Sequence, residues 1–219
     1  MTVVVDAGID RVGAVARAAA ALGAGHLVVL PTDTVYGVAA DAFNPAATAR
    51  IFLAKARSRS SPLAVLVHSI AQVDAVAAEV PVVAERLMGT YWPGPLTIVL
   101  PARETLAWDL GDSAGTVAVR MPLDEVALEV IRAVGPLAVT SANRSGQPAA
   151  HDIATARDAL GDEVEVYVDD GPRRGASPST IVDLTRGDPL VIREGDLPMN
   201  EVMTVAHEER SGPDVSPAG

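Results

Sequence analysis

Two hydrophobic patterns alternate along the chain: stretches with an apolar residue every three or four positions, which predict amphipathic helices, and short continuous apolar runs, which predict buried strands. Val12, Val15, Ala19 and Leu22 give helical spacing over residues 10 to 24, and Gly23 and Gly25 end that helix. The run His26-Leu27-Val28-Val29-Leu30 follows and predicts a buried strand. Asn44-Pro45 reads as an N-cap with proline at the first helical position, opening a helix through Ala49, Phe52 and Leu53 that fades near Arg57. A strand is predicted at Leu63 to Val67, then helix over 70 to 90 with a break at Pro81. Trp92-Pro93-Gly94-Pro95 is a rigid turn, followed by strands at Leu96 to Leu100 and Thr116 to Arg120. The remaining expectations are a helix from Leu123 to Val134, a strand at Leu137 to Thr140, a helix around 152 to 160, and strands at Val164 to Val168, Thr180 to Leu184 and Leu190 to Arg193.

This order predicts one α/β domain over residues 1 to 200, followed by a polar segment, 201–219, that stays flexible unless it docks. Composition agrees: 49% of the residues are hydrophobic but only 3% aromatic, so the core is built from Val, Ala, Leu and Ile. The net charge of −11 repels polyanions as a whole, so any basic cluster needs a local explanation. The absence of cysteine removes disulfides and thiolate chemistry. The first ten residues lack a signal-peptide pattern and no apolar run is long enough to span a bilayer, so a cytoplasmic location and no membrane partner are expected.

No Walker loop, dinucleotide glycine fingerprint, His-Glu-x-x-His or Gly-x-Ser-x-Gly is present, and the four histidines are scattered. Lys55 stands out because the other sixteen basic residues are all arginine. With Arg57 and Arg59 beside it, it is either a cation for an anionic ligand or the chance lysine of a solvated helix face. Pro31-Thr32-Asp33-Thr34-Val35-Tyr36-Gly37 directly follows a strand and reads equally as a ligand loop or an ordinary turn. Thr140-Ser141-Ala142-Asn143-Arg144-Ser145-Gly146 carries the same two readings, as an oxyanion or phosphate cradle or as a plain turn. Arg120 and Arg193 each end a strand, where a guanidinium holds either a ligand carboxylate or phosphate, or a rim acid.

Together these segments resemble the YrdC-like family of threonylcarbamoyl-AMP synthases, through PTDTVYG at 31 to 37, Lys-x-Arg at 55 to 57, PLAVLV at 62 to 67 and WPGPLT at 92 to 97. VAVRMP at 117 to 122, TSANRSG at 140 to 146, STIVDL at 179 to 184 and IREG at 192 to 195 complete the series. The resemblance implies a twisted mixed parallel/antiparallel sheet with flanking helices around a large central cavity. It also implies a reaction joining L-threonine, bicarbonate and ATP into threonylcarbamoyl-AMP and pyrophosphate. It assigns ATP to Lys55, Arg57, Ser61, Thr116, Ser141, Asn143 and Arg193, with Lys55 and Arg57 catalytic, and threonine to Thr34, Tyr36, Arg120, Thr140 and Ser179. Mg²⁺ arrives with ATP and no protein metal ligand is expected. Downstream partners are the proteins that transfer the threonylcarbamoyl group to tRNA, with weak or indirect contact to tRNA itself. An RNA-binding module and a carbamoyl-transfer protein of the same fold are the competing readings; the net charge and the scarcity of aromatics oppose the first. Two segments depart from the family pattern. Lys55-Ala56-Arg57-Ser58 stands for the usual Lys-Gly-Arg-Pro, and Leu66 stands where relatives often place a histidine, with His68 two residues on.

Overall fold

The computed structural model describes residues 2–173 and 177–208. Among them ten strands form one mixed sheet: β1 (Val3–Asp6), β2 (Val28–Leu30), β3 (Gly37–Asp41), β4 (Ala64–Leu66), β5 (Leu96–Pro101), β6 (Thr116–Arg120), β7 (Leu137–Ser141), β8 (Val166–Asp169), β9 (Thr180–Asp183) and β10 (Leu190–Arg193). Their order across the sheet is β1-β8-β2-β3-β7-β4-β6-β5-β9-β10. β1 and β2 run parallel to β8, β4 to β6 and β5 to β9, and the remaining neighbours are antiparallel, as expected for the mixed sheet.

Seven helices flank it: α1 (Arg11–Gly23), α2 (Pro45–Lys55), α3 (Val73–Val76), α4 (Val82–Tyr91), α5 (Glu125–Val134), α6 (Ile153–Leu160) and α7 (Met199–His207). Four start on a carboxylate or amide that accepts from a backbone N–H of the first turn: Asp10 from Gly13, Asn44 from Ala47, Asp124 from Ala127 and Asp152 from Thr155. α2 ends on Ala56, in the left-handed region at φ 49° and ψ 43°, the backbone state that glycine adopts freely. Ala56 therefore holds a conformation that glycine would adopt freely, at a cost of about 1 kcal/mol.

The helices divide unequally between the two faces. α2, α3, α4, α6 and α7 pack on the face carrying Val38, Ala40, Val65, Ile98, Val119 and Val182. Only α1 and α5 pack on the other, over Val28, Leu30, Ala39, Leu66, Val139 and Val166. They cover the β8 to β7 side and leave the β4, β6, β5 and β9 side of that face without a helix. That bare half is where a cavity can form.

Three elements differ from expectation. β1 was not anticipated; it exists because Val3 to Asp6 pair in parallel with Val166 to Asp169. β3 has the sequence Gly-Val-Ala-Ala-Asp, too rich in small residues to announce a strand, and is set by pairing with both β2 and β7. The segment expected to be a polar tail begins as α7, docked on α4: Val202 and Ala206 enter the core, and Arg86 donates to the carbonyls of Ala206 and Glu208 at its end. Residues 209–219 lie outside the described residues.

Candidate active site

Cross-strand partners project to the same side of a sheet, so register alone defines the floor of the uncovered half. Gly37 lies opposite Ser141, Val139 opposite Ala64 and Ala64 opposite Ala118, and all five line the cavity. Farther out, Thr97 lies opposite Ile181 and Ile181 opposite Arg193. Much of this stripe is glycine or alanine, and the missing side-chain volume is a cavity of about 220 Å³. Gly37 is required there, because a Cβ would sit 2.9 Å from Val139 Cγ2. At β10 the register slips by one residue between Val191 and Arg193, and this bulge brings Arg193, rather than Ile192, opposite Ile181 on the cavity face.

One end of the cavity is a closed hydrogen-bond system. Arg120, only 7% exposed, donates from Nε to Gly94 O at 3.0 Å, from Nη1 to Thr34 Oγ1 at 3.0 Å and from Nη2 to Asp33 Oδ1 at 2.6 Å. Asp33 Oδ1 also accepts from Leu123 N at 3.0 Å. Thr32 Oγ1 donates to Val35 O at 2.5 Å, so the Thr34 hydroxyl donates to Thr32, 3.1 Å away, while accepting from Arg120. Burial pushes the Arg120 guanidinium down from its ordinary value, opposed by Asp33 and Asp196. Across the cavity, Ser179 Oγ is 2.8 Å from Thr97 Oγ1 and accepts from Arg193 Nη2 at 3.1 Å. Gly195 holds Ser179 in place: its Cα packs so close that a Cβ would lie 2.6 Å from Ser179 O. Thr180 locks the same turn, accepting from Gly195 N at 2.8 Å and donating to Leu197 O at 2.6 Å.

The other end is looser. Arg57 lines the cavity, partly buried, with Nε donating to Ser61 O at 2.7 Å and Nη2 to Pro62 O at 3.1 Å. Ser141 lines the same end. Burial lowers both Arg57 and Arg193 from the ordinary guanidinium value, and Arg193 is lowered further by Arg120 and Arg57. Three guanidinium groups thus repel one another around one cavity in an acidic protein, the electrostatic condition of a site built for an anion.

Seven of the residues expected at the site line this cavity: Thr34, Arg57, Arg120, Thr140, Ser141, Ser179 and Arg193. Five do not. Tyr36 is fully buried on the opposite face, because strand alternation that turns Gly37 to the cavity turns Tyr36 away; its hydroxyl donates to Gly171 O at 2.8 Å. Lys55, 1% exposed, lies behind the wall and donates to Ser141 O, Asn143 O and, at 3.4 Å, Asn143 Oδ1. All three of its protons are engaged, so none is free for the direct phosphate contact expected of it. Burial and the charge of Arg57 push it down to about 8. Asn143 works with it, its amide donating to Arg144 O and Gln147 O at 2.8 Å each, so both residues shape the 141–147 turn from behind. Ser61 is exposed and contributes its carbonyl to Arg57. Thr116 lies on the Arg120 face of β6 but about 13 Å along the strand, donating to Ser113 O at 2.7 Å. Leu66 is an apolar part of the wall, and His68 lies beyond the end of β4, off it.

Sequence reasoning did not single out Thr97 or the specific role of Asp33. Alternation along β5, in phase with Arg120 through the β5–β6 register, was the signal that could have found Thr97.

Residues 20–195 match the Sua5/YciO/YrdC family, described as telomere recombination. A Mycobacterium leprae protein provisionally named threonylcarbamoyl-AMP synthase is 48% identical over 196 residues, covering 90% of this chain and 89% of its own. The threonylcarbamoyl-AMP synthase of Pyrococcus abyssi is 42% identical over 87% of this chain and 56% of its own. The structure of P. abyssi Sua5 complexed with L-threonine superposes with a TM-score of 0.88 and 37% identity, covering 94% of this chain and 60% of that one. A small-residue floor ringed by arginines, a match over most of the chain and this close superposition lead to one assignment: the chain belongs to the Sua5/YciO/YrdC family.

Proposed function

We propose that the protein is an L-threonylcarbamoyladenylate synthase, a nucleotidyltransferase acting on L-threonine, bicarbonate and ATP. The observation that carries the reading is the convergence of Arg57, Arg120 and Arg193, from three distant parts of the chain, on one cavity with hydroxyls of Thr34, Ser141 and Ser179 between them. The threonine carboxylate belongs at Arg120, whose two remaining N–H groups accompany the Thr34 and Ser179 hydroxyls. The phosphates belong at Arg57, Ser141 and Arg193, with the nucleoside running out toward Thr116. The names of the relatives and the threonine complex of the P. abyssi protein support the same substrate.

In this reading the threonine amine takes up the carbon of bicarbonate, releasing water, to form a carbamate. A carbamate oxygen then forms a bond to the α-phosphorus of ATP while the bond to the leaving pyrophosphate breaks. Negative charge accumulates on phosphate oxygens, so the arginines act by positioning and charge stabilisation, and no covalent nucleophile is needed. Lys55 serves indirectly by fixing the turn that presents Ser141. Among the described residues no group of three or more His, Asp or Glu could hold a metal, and Asp33 is engaged by Arg120 and Leu123. In this reading Mg²⁺ would enter with ATP, held by its phosphates and water, and no step is routed through a protein ligand to it. The adenylate passes to proteins that transfer the threonylcarbamoyl group to tRNA, a cytoplasmic task. No helix among the described residues is long and apolar enough to cross a membrane.

The test incubates the purified chain with labelled threonine, bicarbonate, ATP and Mg²⁺ and measures threonylcarbamoyl-AMP and pyrophosphate. Equal amounts of the two are expected. Absence of both, with tight salt-sensitive tRNA binding, would replace the synthase by the RNA-binding alternative.

A further inference from the structure

Behind the Arg120 end lies a second set of charges, its Arg173–Asp124 pair largely buried, that does not line the cavity. Arg173 Nη1 donates to Asp124 Oδ2 at 3.0 Å, the two side chains being 13% and 7% exposed. Nη2 reaches Asp170 Oδ2 at 3.0 Å and the Asp170 carbonyl, and Nε donates to Gly171 O at 3.2 Å. The guanidinium carbon lies 5.4 Å from the centre of the Tyr36 ring. The Tyr36 hydroxyl closes the cluster, donating to Gly171 O and accepting from Asp170 N at 3.1 Å.

This cluster grips both segments that place Arg120. Tyr36 ends the loop that carries Asp33 and Thr34. Asp124 directly follows Leu123, whose N–H binds the Asp33 oxygen that also holds Arg120 Nη2. The charges therefore run Arg120, Asp33, Asp124, Arg173, Asp170, with two carboxylates adjacent between the two cations. Burial pushes Asp124 up, and the charges of Asp33 and Asp170 push the same way, with Arg173 opposing them. Without Arg173, Asp124 and Asp170 lose the cation that pairs with both of them, and Asp124 still feels the negative charge of Asp33. Asp33 and the Leu123–Asp124 corner then separate, and Arg120 loses its fixed orientation.

We infer that Arg173 is a positioning residue for the amino-acid substrate, acting through Asp124, Leu123 and Asp33 on the Arg120 guanidinium. The inference rests on the reading above in assigning the substrate carboxylate to Arg120. It predicts a selective effect, because none of the charged side chains of the array is hydrogen-bonded to Arg57 or Ser141.

The experiment uses the full chain and measures threonine affinity by calorimetry without ATP, then KM for threonine and for ATP and kcat for adenylate formation. Arg173→Ala is expected to weaken threonine binding about tenfold or more, with ATP KM within about twofold and kcat at saturating threonine within about threefold of wild type. Arg173→Lys, which keeps the charge and loses the fork, is expected to recover part of the affinity. Should Arg173→Ala fail to fold, Asp124→Asn decides: its amide oxygen still caps Ala127 N while the charge facing Arg173 is gone, and the same threonine-selective loss is expected. A folded variant with unchanged threonine affinity, or with threonine and ATP affinities falling in equal proportion, overturns the inference. Threonine binding by wild type without adenylate formation sinks the synthase reading alone, since the variants' threonine affinities still decide this one. A wild-type chain that binds no threonine overturns both.

Discussion

The two ends of the cavity are built on different principles. At the Arg120 end the cation is 7% exposed and held by Gly94, Thr34 and Asp33, so its orientation exists before any ligand arrives. At the Arg57 end the cation is only partly buried and borrows two loop carbonyls, while Arg193 is exposed on an edge strand, leaning on Ser179. A small rigid substrate is best met by fixed donors, whereas a polyphosphate with its accompanying cation needs donors that adjust as it enters and leaves. The contrast teaches that one acidic chain can concentrate three arginines safely by neutralising only the deepest one internally.

The largest expected effect breaks the rigid end. Arg120→Ala should lower kcat/KM for threonine by about a thousandfold, leaving ATP KM nearly unchanged. It should also destabilise the protein by about 3 kcal/mol, because Asp33 is left buried without its partner. Steady-state kinetics and urea unfolding check the two halves separately. A next, smaller effect concerns the adjustable end: Arg57→Ala should reduce turnover by about tenfold to a hundredfold and raise ATP KM, with the unfolding midpoint close to wild type, since no carboxylate depends on Arg57. Equal losses of stability in the two variants would erase the distinction between the ends.

The smallest effect sharpens the comparison from behind the wall. Lys55 is held down to about 8 by burial and by Arg57, whereas in the unfolded chain it titrates at its ordinary value of 10.5. Between these values the unfolded state binds more protons, so stability rises with pH through that window. The gain relative to a Lys55→Met variant should be on the order of 1 to 2 kcal/mol between pH 7.5 and 10. Urea midpoints of the two proteins at both pH values test it. A parallel pH response in wild type and variant would show that Lys55 does not carry the linkage.

Much of this arrangement was legible in the sequence, though in pieces. The spacing of Val12, Val15, Ala19 and Leu22, the Asn44-Pro45 start and the runs at 26 to 30, 96 to 100 and 116 to 120 located their elements to within two residues, because periodicity, capping and proline geometry are local. β3 escaped because Gly37, Ala39 and Ala40 carry no strand signal of their own. The uniqueness of Lys55 marked it as special, and it is. Its role proved to be holding the Ser141 and Asn143 carbonyls, something only the distance between α2 and the end of β7 could reveal. Tyr36 and Gly37 are adjacent in one motif, yet a single step of strand alternation sends one into the helix-covered core and the other to the cavity.

The sequence by itself determined where most helices and strands lie, though not β1, β3 or α7, where hydroxyls and arginines follow strand ends, and which family's motif series the chain carries. These depend on residues within a turn or two of one another. The tertiary structure alone decided which side of each strand faces the cavity, that β10 slips by one residue to aim Arg193, and that Arg57, Arg120 and Arg193 meet. Those outcomes follow from register between strands far apart in sequence and from two helices covering only part of one face of the sheet, and no local pattern encodes them.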